Sequence, residues 1–235
     1  APRRGGVRSA LMDGDALRLS LRLATLTTAI LLAVGVPLAQ WLATSRSRAR
    51  FVVEAGVALP LVLPPTVLGF YLLFALAPRT PLGRGWEAVA GSPFPFSFGG
   101  LLVASVLYSL PFAVQPVAAA LAAVDPRLVE AAHTLGASRL ATFFRVNLPL
   151  AWHGVVSGAV LAFAHTLGEF GVVLMVGGNV RGETRTLSIA LYDHVQALEY
   201  GAANRTALVL LAVSFAVLLL VYGLQRRPSS RWTAR

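Results

Sequence analysis

The 235-residue chain contains no cysteine and no lysine. Without cysteine there is no disulfide, no thiolate zinc site and no thiol nucleophile. The missing lysine excludes a nucleotide-binding P-loop, whose Lys must reach the β/γ-phosphates. If ATP drives this protein, another polypeptide hydrolyses it. All 20 basic residues are therefore arginine, set against ten carboxylates, and charged residues make up only 13% of the chain. H-E-x-x-H is absent. Ser138, in Gly136-Ala137-Ser138-Arg139, lacks the second glycine of a nucleophile elbow and has no base partner in its loop. His153 and His194 stand alone in sequence and read as interfacial or satisfied side chains. No enzymatic constellation survives, and no cofactor is expected to be bound by this chain.

What the chain does contain is apolar length. Hydrophobic residues make up 56%, and the mean hydropathy of +0.70 exceeds that of soluble domains. Several runs are long enough to cross a bilayer. The net charge of +10 sits in loops and at the ends of these runs, which leaves no soluble basic face for nucleic acid. The expected architecture is an all-α integral membrane protein in one domain. Its spans are placed at about 17–43, 51–77, 99–124, 149–177 and 201–224. A polar tail (1–16) precedes them, lacking the apolar core and cleavage site of a signal peptide, and a basic tail (225–235) follows. Arg18 and Arg22 share a face at the start of the first span and can snorkel to headgroups. Seven prolines at or within the spans (37, 60, 64, 65, 111, 116 and 149) provide fixed bends. Pro60, Pro64 and Pro65, with Thr66, fall in LPLVLPPTVLGF, where the helix must be re-satisfied by neighbours or water. That segment reads equally as a bent structural helix or as a pathway lining. Trp86, Phe94, Phe96 and Phe98 suit an interfacial belt, and residues 178–200 read as an amphipathic, re-entrant or interfacial connection.

Two stretches carry the functional argument. The first is DPRLVEAAHTLGASRLATFFRVNLP, residues 125–149. Asp125 is an N-cap and Pro126 suits the first helical position. Glu130, Ala131 and Ala132 are good helix formers. Gly136 offers a turn without a Cβ, and a second short helix leads to Leu148-Pro149. The second stretch is Leu167-Gly168-Glu169-Phe170-Gly171, in which Glu169 is the one acidic group deep in an apolar run and His165 lies four residues before it. An ionisable residue at such a depth is a functional candidate by default. It reads as a metal ligand with His165, a proton relay, or a buried structural acceptor; two ligands without a further cluster disfavour the metal, and the structural acceptor is preferred.

Glu130-Ala131-Ala132, three residues, Gly136, nine residues, then Val146-Asn147-Leu148-Pro149 resembles the EAA loop of ABC importer permeases, with Val146 where that family usually has Ile. The resemblance implies a type I importer permease fold with five spans, and makes residues 125–148 the cytoplasmic coupling loop that docks on an ATPase subunit. Coupling would then fall to Glu130, Ala131, Ala132, Gly136, Leu148 and Pro149, and the pathway or gate to Pro64, Pro65, Thr66, Gly168, Glu169, Phe170 and Gly171. L-G-E-F-G after this loop resembles the molybdate and sulfate branch. Relatives there commonly carry Arg at the positions of His133 and His165, which puts any contact made by those arginines in doubt here. LPLVLPPTVLGF, GASRLATFFRVNLPLA and GNVRGETRTLSIALYDHVQALEY are similar to molybdate permeases in particular, the last segment alone favouring molybdate over sulfate. The similarity runs from about residue 17 to 224.

This resemblance implies a homodimer in the cell membrane, two ATP-binding subunits and an extracytoplasmic oxyanion-binding protein, moving molybdate or tungstate inward by alternating access. Sulfate or thiosulfate is the alternative cargo. A self-contained channel or secondary transporter using Glu169 and His165 is the alternative class, although the inverted repeats it predicts are not found. With the coupling loop inside, inner segments carry ten arginines and outer segments seven, and Arg18, Arg22 and Arg205 raise the outer number to ten. Arginine counting is thus a weak vote, and the coupling loop decides the orientation: N-terminus out, C-terminus in. Met12 precedes the first span by five residues, so residues 1–11 read either as upstream sequence without a role in transport or as a genuine short tail that translocates despite its charge.

Overall fold

Five helix starts among the described residues are capped by Ser, Thr or Asp. Thr80, Ser97, Asp125, Ser138 and Thr186 each accept a backbone N–H from the first turn that follows, which satisfies donors that have no partner inside the helix. A computed structural model describes residues 4–225, with side chains from residue 14 except at 220, 221, 224 and 225. The expected basic tail lies outside the described residues beyond position 225. Among those described, the chain is helical and has no strand.

Three helices pack as the central bundle: α1 (Arg4–Thr44), α5 (Phe98–Ala122) and α9 (Trp152–Gly168). They approach closely because small residues line the seam. A Cβ added to Gly158 would come within 2.6 Å of the Ala113 carbonyl, and one added to Gly154 within 2.7 Å of the Pro116 carbonyl. Gly154 and Gly158, four apart, form the small-xxx-small pattern that lets membrane helices meet backbone to backbone. At one end of the bundle the core is Leu23, Phe94, Leu101, Ala104, Val172, Val173, Val176 and Ile189. At the other it is Ala39, Leu42, Val57, Val114, Val117, Leu121 and Ala151. The last long helix, α12 (Tyr200–Gln225), is peripheral and turns Leu208, Leu211, Phe215 and Leu219 outward, a surface suited to lipid.

Among the described residues three helices are long and apolar enough to cross a membrane, namely Gly14–Thr44, Phe98–Ala122 and Tyr200–Leu219, or up to five if each of two sharply bent pairs counts as one span. The stretch 51–77 is not a straight rod. It divides into α2 (Arg50–Val62) and α3 (Pro65–Ala75), bent by 114°. The cause is local: Pro65 drives Pro64 out of the helical region, to ψ 137°, and then starts α3. The second bent pair, Arg139–Leu150 and Trp152–Gly168, turns by 72° at Ala151, and 149–177 is interrupted again further on. α9 stops at Gly168, Glu169 is extended at ψ 134°, and α10 (Gly171–Gly177) begins afresh. Between α3 and α5 lies α4 (Pro81–Ala90), and α11 (Leu187–Gln196) follows α10. The expected first span is part of a longer helix, because α1 already begins at Arg4.

Candidate coupling surface and buried helix break

Residues 125–151 form a surface of short helices at one end of the bundle. Asp125 accepts from the Arg127 N–H at 2.9 Å and opens α6 (Pro126–Thr134), which has no buried residue. The exit from α6 is set by Gly136, at φ +81°. Its N–H donates to the His133 carbonyl at 2.9 Å, and the Ala137 N–H reaches the Ala132 carbonyl at 3.0 Å. This pair of bonds is the Schellman closure, and its left-handed position selects glycine. His133 Nδ1 lies 3.1 Å from the Ala137 carbonyl, so the imidazole braces the same turn. Ser138 then caps α7 (Arg139–Thr142), followed by a π-helical turn, Phe143–Asn147, and α8 (Leu148–Leu150). Pro149 has no N–H to give to Arg145, and the wider turn, closed by Leu148 N–H to the Phe143 carbonyl, passes that gap.

Of the residues expected to couple, Glu130, Ala131, Gly136 and Pro149 are exposed, while Ala132 and Leu148 are half-buried. Leu128, Leu135, Leu140 and Phe144 are exposed beside them. α6 has no buried residue and apolar side chains lie exposed around it, the make-up of an interaction surface rather than of a core helix.

The second site is the break at Glu169. This residue is 8% exposed. Its Oε1 accepts the Val172 N–H at 3.0 Å, in the first turn of α10, and its carbonyl accepts from Ser188 Oγ at 2.6 Å. Groups freed by the break are thereby re-satisfied inside the protein, as an apolar surrounding demands. His165 Nε2 lies 3.9 Å from Glu169 Oε2. Its other nitrogen, Nδ1, is 2.9 Å from Ser109 Oγ, and that hydroxyl is 2.9 Å from Thr166 Oγ1. The imidazole stacks on Phe112 with centroids 3.9 Å apart. Among the described residues no group of three potential ligands could hold a metal ion.

The two broken helices meet. A Cβ on Gly171 would sit 2.6 Å from Pro65 Cβ, and one on Gly69 would sit 2.7 Å from Met175 Cβ. Pro65, Glu169, Phe170 and Gly171 are thus brought together. Pro64, Thr66 and Gly168 are exposed instead, and open space surrounds a Cβ built on Gly168. Phe170 packs on Tyr192 of α11 at 4.9 Å. A cavity of about 260 Å³ opens elsewhere, between α1, α2 and α5 beside Arg50 and Glu54, and none of the expected pathway residues lines it. Ser109, Thr166 and Ser188 escaped the sequence reading. Serines and threonines in apolar helices carry no spacing signal, and their partners lie up to 57 positions away.

The family model described as "Binding-protein-dependent transport system inner membrane component" matches residues 33–231. The Molybdenum transport system permease protein ModB of Azotobacter vinelandii is 52% identical, over 91% of this chain and 95% of that protein. Its namesake in Escherichia coli K12 is 35% identical, over 95% and 94%. Among solved structures, a bacterial ABC transporter that imports the polysaccharide alginate aligns with a TM-score of 0.76 at 20% identity, covering 92% of this chain and 79% of that one. An amino acid ABC transporter aligns at 0.65 and 19%, covering 97% and 99%. These structures share the fold, that of a type I importer permease. With five-sixths of its length inside one family model and close relatives matched almost end to end, the chain belongs to the binding-protein-dependent transport system inner membrane component family.

Proposed function

We propose that this chain is the transmembrane permease subunit of an ATP-driven importer that carries molybdate, or the isosteric tungstate, into the cytoplasm. The observation that carries this reading is the 52% identity, over nearly the whole of both chains, to a protein named for molybdenum transport. The exposed, Schellman-closed α6 supplies the mechanical part. Two copies of the chain pair in the cell membrane, and each α6, with Glu130, Ala131, Ala132, Gly136, Leu148 and Pro149, seats in an ATP-binding subunit. The N-terminus lies outside and the C-terminus inside. A separate binding protein delivers the anion at the outer face; one alginate transporter of the same fold is described in complex with its substrate-bound periplasmic protein. This chain itself binds no cofactor and hydrolyses nothing.

Closure of the ATPase pair draws the two α6 surfaces together. Rigid helices with fixed proline bends transmit that movement as rocking rather than bending. The contact of Pro65 with Gly171, where both broken helices meet around Glu169, is the place at which such rocking opens or closes a path. Reconstitution tests the reading. Proteoliposomes holding this chain, its ATPase and its binding protein should accumulate molybdate only with ATP inside the assembly. Uptake by the chain without an ATPase would instead establish a self-contained transporter, and sulfate uptake with molybdate excluded would reassign the cargo.

A further inference from the structure

We propose that the end of the bundle opposite the coupling surface carries a binding site for a tetrahedral dianionic oxyanion, built by Arg18 and Arg22 of α1 together with Arg181 and Arg185 of the turn between α10 and α11. Arg22 lies 4.4 Å over the ring of Phe98, where α5 begins. Leu42 packs with Leu121, where α5 ends and the coupling surface starts. The stretch of α1 between Arg22 and Leu42 rises roughly 30 Å, so the arginines and α6 occupy opposite ends. An open cleft of about 410 Å³ is lined by Asp15, Arg18, Leu19, Arg22 and Gly182. A smaller hollow of about 40 Å³ shares Asp15, Leu19 and Gly182 and adds Arg181 and Arg185.

The frame around these arginines is fixed. The Leu187 N–H donates to Ser20 Oγ at 2.8 Å, which ties α11 to α1 beside the cleft. Ala16, Leu187 and Ala190 pack together on the same seam. Thr184, fully buried, donates to the Gly177 carbonyl at 2.6 Å and accepts from the Val180 N–H at 3.0 Å, which locks the turn that bears Arg181 and Arg185. Arg185 is 7% exposed. Its Nη2 is 3.1 Å from Asp193 Oδ2, an oxygen that also accepts from Asn179 Nδ2 at 2.7 Å. The buried Nε of Arg185 has no partner among the described residues, a donor left over where buried donors are normally used.

Charge matches the proposed occupant. Four guanidinium groups less the carboxylates of Asp15 and Asp193 leave two positive charges; Glu183, exposed in the same turn, lines neither hollow. Arg18, Arg22 and Arg181 form no ion pair among the described residues. Guanidinium forks suit the planar pairs of oxygens that a tetrahedral oxyanion presents. The cleft is open to solvent, so the site holds its anion loosely, as a station on a transport route must. The same chemistry belongs to a lipid phosphate, and only the choice of molybdate as the free anion rests on the proposed function.

The test uses the full-length chain in phosphatidylcholine nanodiscs, without ATPase or binding protein, and measures radiolabelled molybdate by equilibrium dialysis. Saturable binding is expected. Losing two charge-assisted contacts in Arg18→Gln/Arg181→Gln should weaken it about tenfold or more. Both side chains are exposed, so folding is not at stake, and Arg18→Lys/Arg181→Lys should recover part of the loss. Arg48→Gln, exposed beyond the far end of α1, should bind as the parent does. In phosphatidylglycerol nanodiscs, native mass spectrometry identifies the second source: lipid retained by the parent and released by the Gln pair, with molybdate unbound, would make the ligand a headgroup phosphate. Equal molybdate binding by parent and Gln pair, or neither molybdate binding nor arginine-dependent lipid retention, overturns the site. Such a failure alongside normal ATP-dependent molybdate uptake would leave the proposed function standing. Conversely, sulfate bound at these arginines in place of molybdate would keep the site and change the cargo.

Discussion

Glu169 and Gly136 are the two residues whose roles reduce to single bonds. Glu169 Oε1 holds the Val172 N–H, and Gln offers that donor the same oxygen, whereas Leu leaves it buried and unpaired, at a cost of about 1–3 kcal/mol. Glu169→Gln should therefore assemble and transport nearly as the parent does, and Glu169→Leu should give a lower yield of intact complex. A proton relay predicts otherwise: both variants would assemble normally and neither would transport. Yield by size-exclusion chromatography, measured beside uptake, separates the two roles. At Gly136 the constraint is the backbone, since φ +81° is strained for any side chain and most for a β-branched one. Gly136→Val should break the bonds from residues 136 and 137 that close α6. We expect membrane insertion to survive while ATP is hydrolysed without matching molybdate uptake. An unchanged ratio of ATP consumed to molybdate moved would remove α6 from the coupling role. Gly136 was legible in the sequence because a helix exit leaves a glycine signature. Ser109, which holds His165 from another helix, leaves none.

Among the elements, the breaks are better written in sequence than their destinations. Two adjacent prolines dictate that α2 and α3 cannot be collinear, but nothing in LPLVLPPTVLGF says that α3 will fold against α10. That outcome depends on Gly69 and Gly171, whose small size admits Met175 and Pro65. Likewise, a hydropathy profile sees 149–177 as one apolar run, since a two-residue interruption at Glu169-Phe170 barely lowers its average. The π-turn at Phe143–Asn147 is a geometric answer to Pro149 that spacing alone does not announce. Packing at these contacts is testable by filling them. Gly158→Leu would drive a side chain into the Ala113 carbonyl, and Gly171→Leu into Pro65. Each should cost about 1–3 kcal/mol and lower the thermal unfolding midpoint in detergent. Gly201→Ala, in a helix with open space around the new methyl, is the control and should leave the midpoint unchanged or slightly raised. If Gly158→Leu unfolds with the control, α5 and α9 do not meet as closely as their glycines imply.

At the scale of the whole molecule, orientation is the property least legible in composition. Arginines are spread over both ends, with Arg22 held on Phe98 and Arg185 buried against Asp193 at one of them. Direction then rests on α6 facing an ATPase. The absence of cysteine makes this measurable, because one introduced thiol is the only one to label. Val89 in α4 is 91% exposed and Leu135 at the end of α6 is 88% exposed. They lie at opposite ends, as α4 packs where α5 begins, with Trp86 on Phe94 at 5.4 Å. In intact cells, a membrane-impermeant maleimide should label Val89→Cys and spare Leu135→Cys until the membrane is permeabilised. Adding the ATPase to permeabilised membranes should then protect Leu135→Cys and leave Val89→Cys reactive. With the N-terminus outside, as proposed, deleting residues 1–11 removes three arginines from the outer segments, leaving four against ten inside, and should keep this labelling pattern with uptake unchanged. Labelling of Leu135→Cys from outside would invert the protein and withdraw α6 from any cytoplasmic partner.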